Sequence, residues 1–317
     1  MGTAFLDYET VSNGDLDTAS LEQAAPGIRF YPLTTAAQLT ERIADAQIVL
    51  INKVKLTRGH LAGARKLELI AVAGTGTDGV DLAAAEERGI AVCNVRGYCT
   101  ASVVQHAWAL ILSLTQHLRQ YARLATDGSW VENEKYAVLA YPIRELSGRL
   151  LGIVGWGALG RGVAAVGEAF GMRAIACSRP GAPPEPGRVS LDELLATADI
   201  VSLHCPSTPT TRGLIGAREL GLMKADALLI NTARGALVDS AALAQALRAG
   251  RLGGAGIDVL AQEPPTDGDP LLASDIPNLI VTPHVAWAAR EARQRCIDEM
   301  AANIADFRRG GRRGRVV

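Results

Sequence analysis

"RLLGIVGWGALGRG", Arg149–Gly162, decides the fold. An apolar run, Leu150–Val154, leads into Gly155, Gly157 and Gly160, and a helical stretch from about Leu159 to Phe170 follows. Gly155 permits a tight turn, Gly157 lets a pyrophosphate approach the backbone, and Gly160 lets helix and strand pack closely. The helix start, at Ala158 and Leu159, offers free N–H groups and a partial positive charge to phosphates. Glycines alone are a weak signal, because turns are rich in them. The strand before and the helix after make this spacing read as a dinucleotide turn. It sits unusually late, with about half of the 317 residues ahead of it.

Downstream, strands are expected at Arg173–Cys177, Ile200–Leu203, Ala227–Asn231, Gly254–Asp258 and Asn278–Thr282. Upstream, Ala46–Asn52, Leu67–Gly74 and Gly89–Val95 read as buried parallel strands. They are separated by helical "TTAAQLTERIADA" and "VDLAAAEERG", with Gly89 closing the second helix. Both halves alternate strand and helix, so both are α/β with a doubly wound parallel sheet. A long helix is expected over Thr100–Leu124, apolar round much of its circumference and so buried between domains or subunits. Residues 125–146 read as an irregular arm that packs on a partner. A last helix, about Arg290–Arg308, most simply folds back onto the first domain. The resulting division is 1–100 with 286–317, and 101–285.

Composition narrows the class. With 48 % apolar residues a large core can form, and 4 % aromatics leave Ala, Leu and Val to fill it. A formal net charge of −1 argues against a nucleic-acid or membrane surface. The basic end, "RRGGRRGRVV", reads as a frayed tail. Cys93, Cys99, Cys177, Cys205 and Cys296 form no CxxC pair, which points to a reducing compartment rather than to disulfides or a metal site. "MGTAFLDYET" lacks the apolar run of a signal peptide, and no stretch approaches a membrane span. The expectation is a soluble cytoplasmic protein without a metal.

Three chemically useful residues follow strands of the second half: Arg234 in "INTARGALVD", Glu263 in "DVLAQEPP" and His284 in "TPHVAW". Ligands of open α/β sheets bind outside the carboxyl ends of the strands, so the three can converge. Arginine offers a fork for a carboxylate or a ketone oxygen. Histidine exchanges a proton near neutral pH, and a carboxylate beside it favours its charged form. At the end of the second strand the chain reads "ACSRPG". Ser178 can hydrogen-bond a 2′-phosphate and Arg179 can neutralise it, where an acidic residue would instead hold the free ribose hydroxyls.

Together, "VGWGALG", "INTARGALVD", "DVLAQEPP" and "TPHVAW" resemble the D-isomer-specific 2-hydroxyacid dehydrogenases over essentially the whole chain. "VCNVRGYCTASVVQHAWALIL", "SLHCPSTPTTRGLI" and "PHVAWAAREARQR" are most similar to the glycerate dehydrogenase (hydroxypyruvate reductase) branch. The resemblance implies a Rossmann-type cofactor domain inserted into a flavodoxin-like substrate domain, an active site in the cleft between them, and a homodimer. It implies His284 as acid/base, Glu263 as the carboxylate that holds it, and Arg234 as the binder of the substrate carboxylate. Thr75 and Gly76 of "AGTGTD" would hold that carboxylate through backbone N–H groups. Asp258 would accept from the nicotinamide amide, and His204, Cys205, Pro206, Thr232 and Ala233 would line the cofactor. Ser178 and Arg179 depart from the acidic pattern of NAD-preferring members, so NADP is expected to be preferred and NAD still possible.

The implied activity is hydride transfer between NAD(P)H and a small 2-oxo acid, hydroxypyruvate or glyoxylate, giving D-glycerate or glycolate. A dinucleotide-sensing, corepressor-like binding protein is the alternative on the same fold. Intact Arg234, Glu263 and His284 favour the enzyme. A phosphoglycerate dehydrogenase is a weaker reading, because no regulatory domain follows His284.

Overall fold

The computed structural model describes residues 2–133, 135–179 and 185–317, so Pro180 and Gly181 lie outside the described residues. The chain forms two compact units, Met1–Cys99 with Trp287–Val317, and Thr100–Ala286.

The first unit opens with β1 (Thr3–Phe5), α1 (Ala19–Ala24), β2 (Arg29–Phe30), α2 (Ala36–Ile43), β3 (Ile48–Ile51), α3 (Arg58–Gly63), β4 (Leu69–Val72), α4 (Leu82–Glu87) and β5 (Ala91–Cys93). All strand pairs are parallel, in the order β2-β1-β3-β4-β5, which is the flavodoxin-like order. β3 and β4 are buried along their whole length, which is why they read as continuous apolar runs rather than alternating ones. Gly89 ends α4 at φ +67°, with the Ile90 N–H donating back to Ala85 O at 2.9 Å. β1 and β2 escape a reading by periodicity, because they are only three and two residues long.

The second unit begins with α5 (Thr100–Thr115), α6 (Leu118–Thr126) and α7 (Ser129–Glu132). Then follow β6 (Leu150–Val154), α8 (Ala158–Ala169), β7 (Arg173–Ala176), α9 (Leu191–Thr197), β8 (Ile200–Leu203), α10 (Ala217–Leu222), β9 (Leu228–Asn231), α11 (Ser240–Arg248), β10 (Gly254–Ile257) and β11 (Leu279–Val281). Its parallel sheet runs β11-β10-β9-β8-β6-β7. Beyond β7, Cys177 makes a single parallel bridge to Val189. With that bridge counted as a vestigial third strand, the order is that of a Rossmann sheet, 3-2-1-4-5-6, plus one edge strand.

The long helix expected over Thr100–Leu124 is two helices. The chain breaks at His117, whose φ is +49°. α5 buries Ala107, Trp108, Leu110, Ile111 and Leu114 against Leu151, Ile153 and Ile230 of its own unit's sheet, whereas α6 buries nothing. Apolar coverage stops at Leu114, so no core holds the helix to one axis beyond it. α5 is thus buried as a layer of the second unit.

The chain then returns to the first unit as α12 (Arg290–Arg308), which packs Cys296, Ile297, Met300 and Ile304 on Phe5, Leu50 and Leu69. The basic end is not frayed. It runs antiparallel to β5, with Val316 N–H donating to Val92 O at 2.7 Å and Asn94 N–H to Gly314 O at 2.9 Å. β5 is the edge of its sheet, and the tail satisfies backbone groups that would otherwise be open to pairing.

Candidate active site

In a parallel sheet every strand ends at the same edge. Gly155 follows β6, Ser178 β7, His204 β8, Arg234 β9, Glu263 β10 and His284 β11, so sheet order alone brings these residues of the second unit to one side.

The glycine turn is built as its spacing requires. Gly155 has φ +102°, and a Cβ there would sit 2.6 Å from the Cys205 nitrogen. A Cβ on Gly160 would lie 2.2 Å from Gly155 O, so strand and helix meet backbone to backbone. A Cβ on Gly157 would meet nothing within 4 Å, which leaves open space beside the first turn of α8, with Ala158 and Leu159. His204 and Thr232 follow β8 and β9. Their Nδ1 and Oγ1 atoms are buried and have no hydrogen-bond partner among the described residues. Open space at a helix N-terminus, together with orphaned polar atoms at neighbouring strand ends, fits a dinucleotide. Cys205 and Pro206 continue the same turn. Ala233 N–H donates to Asn231 Oδ1 at 3.1 Å, which shapes the turn after β9.

At the end of β7, Ser178 N–H donates to Val189 O at 2.9 Å, and Ser178 Oγ accepts from Glu185 N–H at 3.0 Å. The hydroxyl proton therefore remains able to donate. Arg179 is exposed. Sequence reasoning missed Arg188, whose guanidinium lies 5.3 Å from the centre of the Trp156 ring within the glycine turn. The signal was available only as a tryptophan between two glycines.

His284 and Glu263 meet: Nδ1 lies 2.6 Å from Oε2, with each side chain about one-third exposed or less. Glu263 Oε1 accepts from Leu260 N–H at 2.8 Å, so the carboxylate is fixed at both oxygens. Arg234 stands at the start of a tight turn and donates from Nη1 to Ala233 O at 2.8 Å. Its neighbour Gly235 brings that turn against the Glu263 loop, where a Cβ would fall 2.0 Å from the Leu260 carbonyl carbon. Asp258 is wholly buried. Its Oδ1 accepts from Val285 N–H and its Oδ2 from Ala286 N–H, each at 2.9 Å. That carboxylate is engaged by the turn that carries His284. Thr75 and Gly76 belong to the first unit, after β4, where Thr75 Oγ1 donates to Val95 O at 2.8 Å and Thr75 O accepts from Asn94 Nδ2 at 2.7 Å. No group of three or more metal-ligating side chains occurs among the described residues, and no helix there is long and apolar enough to cross a membrane.

A Rossmann-type sheet with a dinucleotide turn, and a histidine–carboxylate pair and an arginine at its carboxyl edge, defines a dinucleotide-linked oxidoreductase. Residues 108–286 match the model of the D-isomer specific 2-hydroxyacid dehydrogenase NAD binding domain. The chain is 46 % identical over 273 residues to a glycerate dehydrogenase of Methylorubrum extorquens, covering 86 % of each. It is 35 % identical over 316 residues to a hydroxypyruvate reductase of Blautia hydrogenotrophica, covering 98 % of each. Among solved structures, the TT0316 protein of Thermus thermophilus superimposes with a TM-score of 0.86 at 34 % identity over the full length of both chains. The chain belongs to the D-isomer specific 2-hydroxyacid dehydrogenase family. It is an enzyme that uses a nicotinamide dinucleotide, and the corepressor-like alternative is not favoured.

Proposed function

We propose that the enzyme reduces hydroxypyruvate or glyoxylate to the corresponding 2-hydroxy acid, with NADPH preferred to NADH. The observation that carries the chemistry is the His284–Glu263 contact at 2.6 Å. With Nδ1 committed to the carboxylate, Nε2 is the nitrogen that gives a proton to the substrate carbonyl oxygen, or takes it back in the reverse direction. The cofactor supplies the hydride to the carbonyl carbon. Arg234 binds the substrate carboxylate through its fork and polarises the ketone. Thr75 and Gly76 of the first, substrate unit contribute backbone N–H groups to the same carboxylate. Glu263 orients His284.

The cofactor preference rests on Ser178 and Arg179, which offer a donor and a cation where an acidic side chain would repel a 2′-phosphate. Gly155, Gly157, Gly160, Ala158 and Leu159 hold the pyrophosphate, and His204, Cys205, Pro206, Thr232 and Ala233 line the rest. A homodimer is supported by the exposed apolar side chains Trp130, Val131, Tyr136, Leu139 and Ile143, which gather in one segment, the arm. We place the protein in the cytoplasm, on its unpatterned cysteines. The test is a panel of 2-oxo acids with both reduced cofactors. Hydroxypyruvate or glyoxylate with NADPH should give the highest kcat/KM. A bulkier 2-oxo acid, or NADH, ranking first would overturn the assignment.

A further inference from the structure

We infer that His106, on α5, is a positioning residue that sets the aim of His284 through Thr282 and Asp258. The inference rests on the reading of His284 as the acid/base. It starts from backbone strain. His284 has φ +55°, the left-handed region that a residue with a Cβ occupies only when its surroundings impose it. Its N–H donates to Asp258 O at 2.8 Å and to Thr282 O at 3.0 Å, and the next two N–H groups bind the Asp258 carboxylate. The whole turn is therefore wound round one buried side chain. The placement of His284 depends on how firmly Asp258 is held.

Two further groups hold it. Thr282 Oγ1 donates to Asp258 Oδ1 at 2.6 Å, and His106 Nε2 lies 3.0 Å from Thr282 Oγ1 and 3.4 Å from Asp258 Oδ1. The threonine hydroxyl has one proton and gives it to the carboxylate, so towards His106 it can only accept. His106 therefore carries a proton on Nε2 and donates it. The same face of α5 is used one turn earlier, where Ser102 Oγ donates to Ala286 O at 2.6 Å. Ser102 and His106 are four residues apart, so both point to the turn from one side of the helix. A buried carboxylate needs its donors, and α5 completes the set that the turn itself leaves short. The helix otherwise turns Val103, Ala107, Trp108, Leu110, Ile111 and Leu114 inward, and its buried Thr115 donates to Ile111 O of the helix itself.

The test compares His106→Gln, His106→Asn and His106→Leu with His284→Ala, using hydroxypyruvate and NADPH. A glutamine amide nitrogen reaches about as far as Nε2 and can donate there, whereas an asparagine nitrogen falls short. His106→Leu and His106→Asn should lower kcat by about 10- to 100-fold, the scale expected for a reacting group displaced by about an ångström. NADPH affinity and KM for hydroxypyruvate should stay near those of the wild type, because the glycine turn and Arg234 are untouched. His106→Gln should recover most of the lost kcat. If His106→Leu fails to fold, the Gln and Asn pair decides. Equal kcat for Gln and Asn, or wild-type kcat in Leu, overturns the inference. His284→Ala separates the two levels. If it is inactive while all His106 variants are fully active, only the positioning role fails. If it keeps wild-type turnover, the acid/base reading itself fails.

Discussion

Acid should weaken the second unit through His204. Its ring follows β8, with Nε2 2.9 Å from Ser202 Oγ and Nδ1 buried and without a partner among the described residues. Burial, which penalises the charged form, pushes the imidazole down from its ordinary 6.5 to about 4. In the unfolded chain the same ring takes its proton near pH 6.5. Between these values the unfolded state holds more protons than the folded one, so stability falls as the pH falls. The contribution is fully present above about pH 6.5 and has been lost by about pH 4. At about 1.36 kcal/mol for each pH unit of displacement, the loss approaches about 3 kcal/mol, a sizeable part of the roughly 5–15 kcal/mol by which domains are typically stable. Urea unfolding of wild type and His204→Gln, followed from about pH 7 to about pH 4.5, reads this directly. Glutamine keeps an amide towards Ser202 and does not titrate. The wild-type curve should fall more steeply with acid, by up to about 1.4 kcal/mol per pH unit. Only the slope matters, so a variant that is less stable at neutral pH still decides. Parallel slopes would refute the argument from burial.

Arg179→Ala should lower kcat/KM for NADPH by about tenfold or more while sparing NADH, the scale of one charge-assisted hydrogen bond; Ser178→Asp should reverse the preference outright, and an unchanged ratio in both would remove these residues from cofactor choice. Arg234→Lys keeps the charge and loses the fork, so KM for hydroxypyruvate should rise by about tenfold with NADPH affinity unchanged, whereas normal kinetics would take Arg234 out of the site. In the first unit, the Arg293 guanidinium hydrogen-bonded to Asp15 holds that carboxyl down at about 2. This contribution is present above the ordinary 3.8 and is lost as the pH falls towards 2. Asp15→Asn should therefore lower the melting temperature at neutral pH and flatten its acid decline between about 4 and 2, and an unchanged melting temperature would show the pair to be idle.

Legibility followed the strength of the local pattern. β6 and β8 and the helix Arg290–Arg308 run over the residues their apolar runs mark, because buried parallel strands and a long amphipathic helix leave unambiguous signatures. β1 and β2 did not, since their three and two residues carry no period. The break at His117 was hidden because a left-handed residue other than glycine leaves no compositional mark. The ordered tail was misread from its charge, when its backbone pairing with β5 is what holds it. At the site, Arg234, Glu263 and His284 were visible as polar residues just beyond strand ends. The bonds Asp258 accepts from backbone N–H groups were not, because a carboxylate turned inward looks in sequence like any other strand-end acid. His106 and Ser102 could have been found as two polar residues four apart on a largely apolar helix.

The most direct measurement mixes the enzyme with NADPH and hydroxypyruvate and follows the loss of reduced-cofactor absorbance in wild type and in His284→Ala. The wild type should consume NADPH. The variant should bind it equally well yet turn over about 10²- to 10⁴-fold more slowly, the usual share of a positioned proton donor. Comparable rates in the two proteins at neutral pH would contradict the assignment of His284 as the group that protonates the carbonyl.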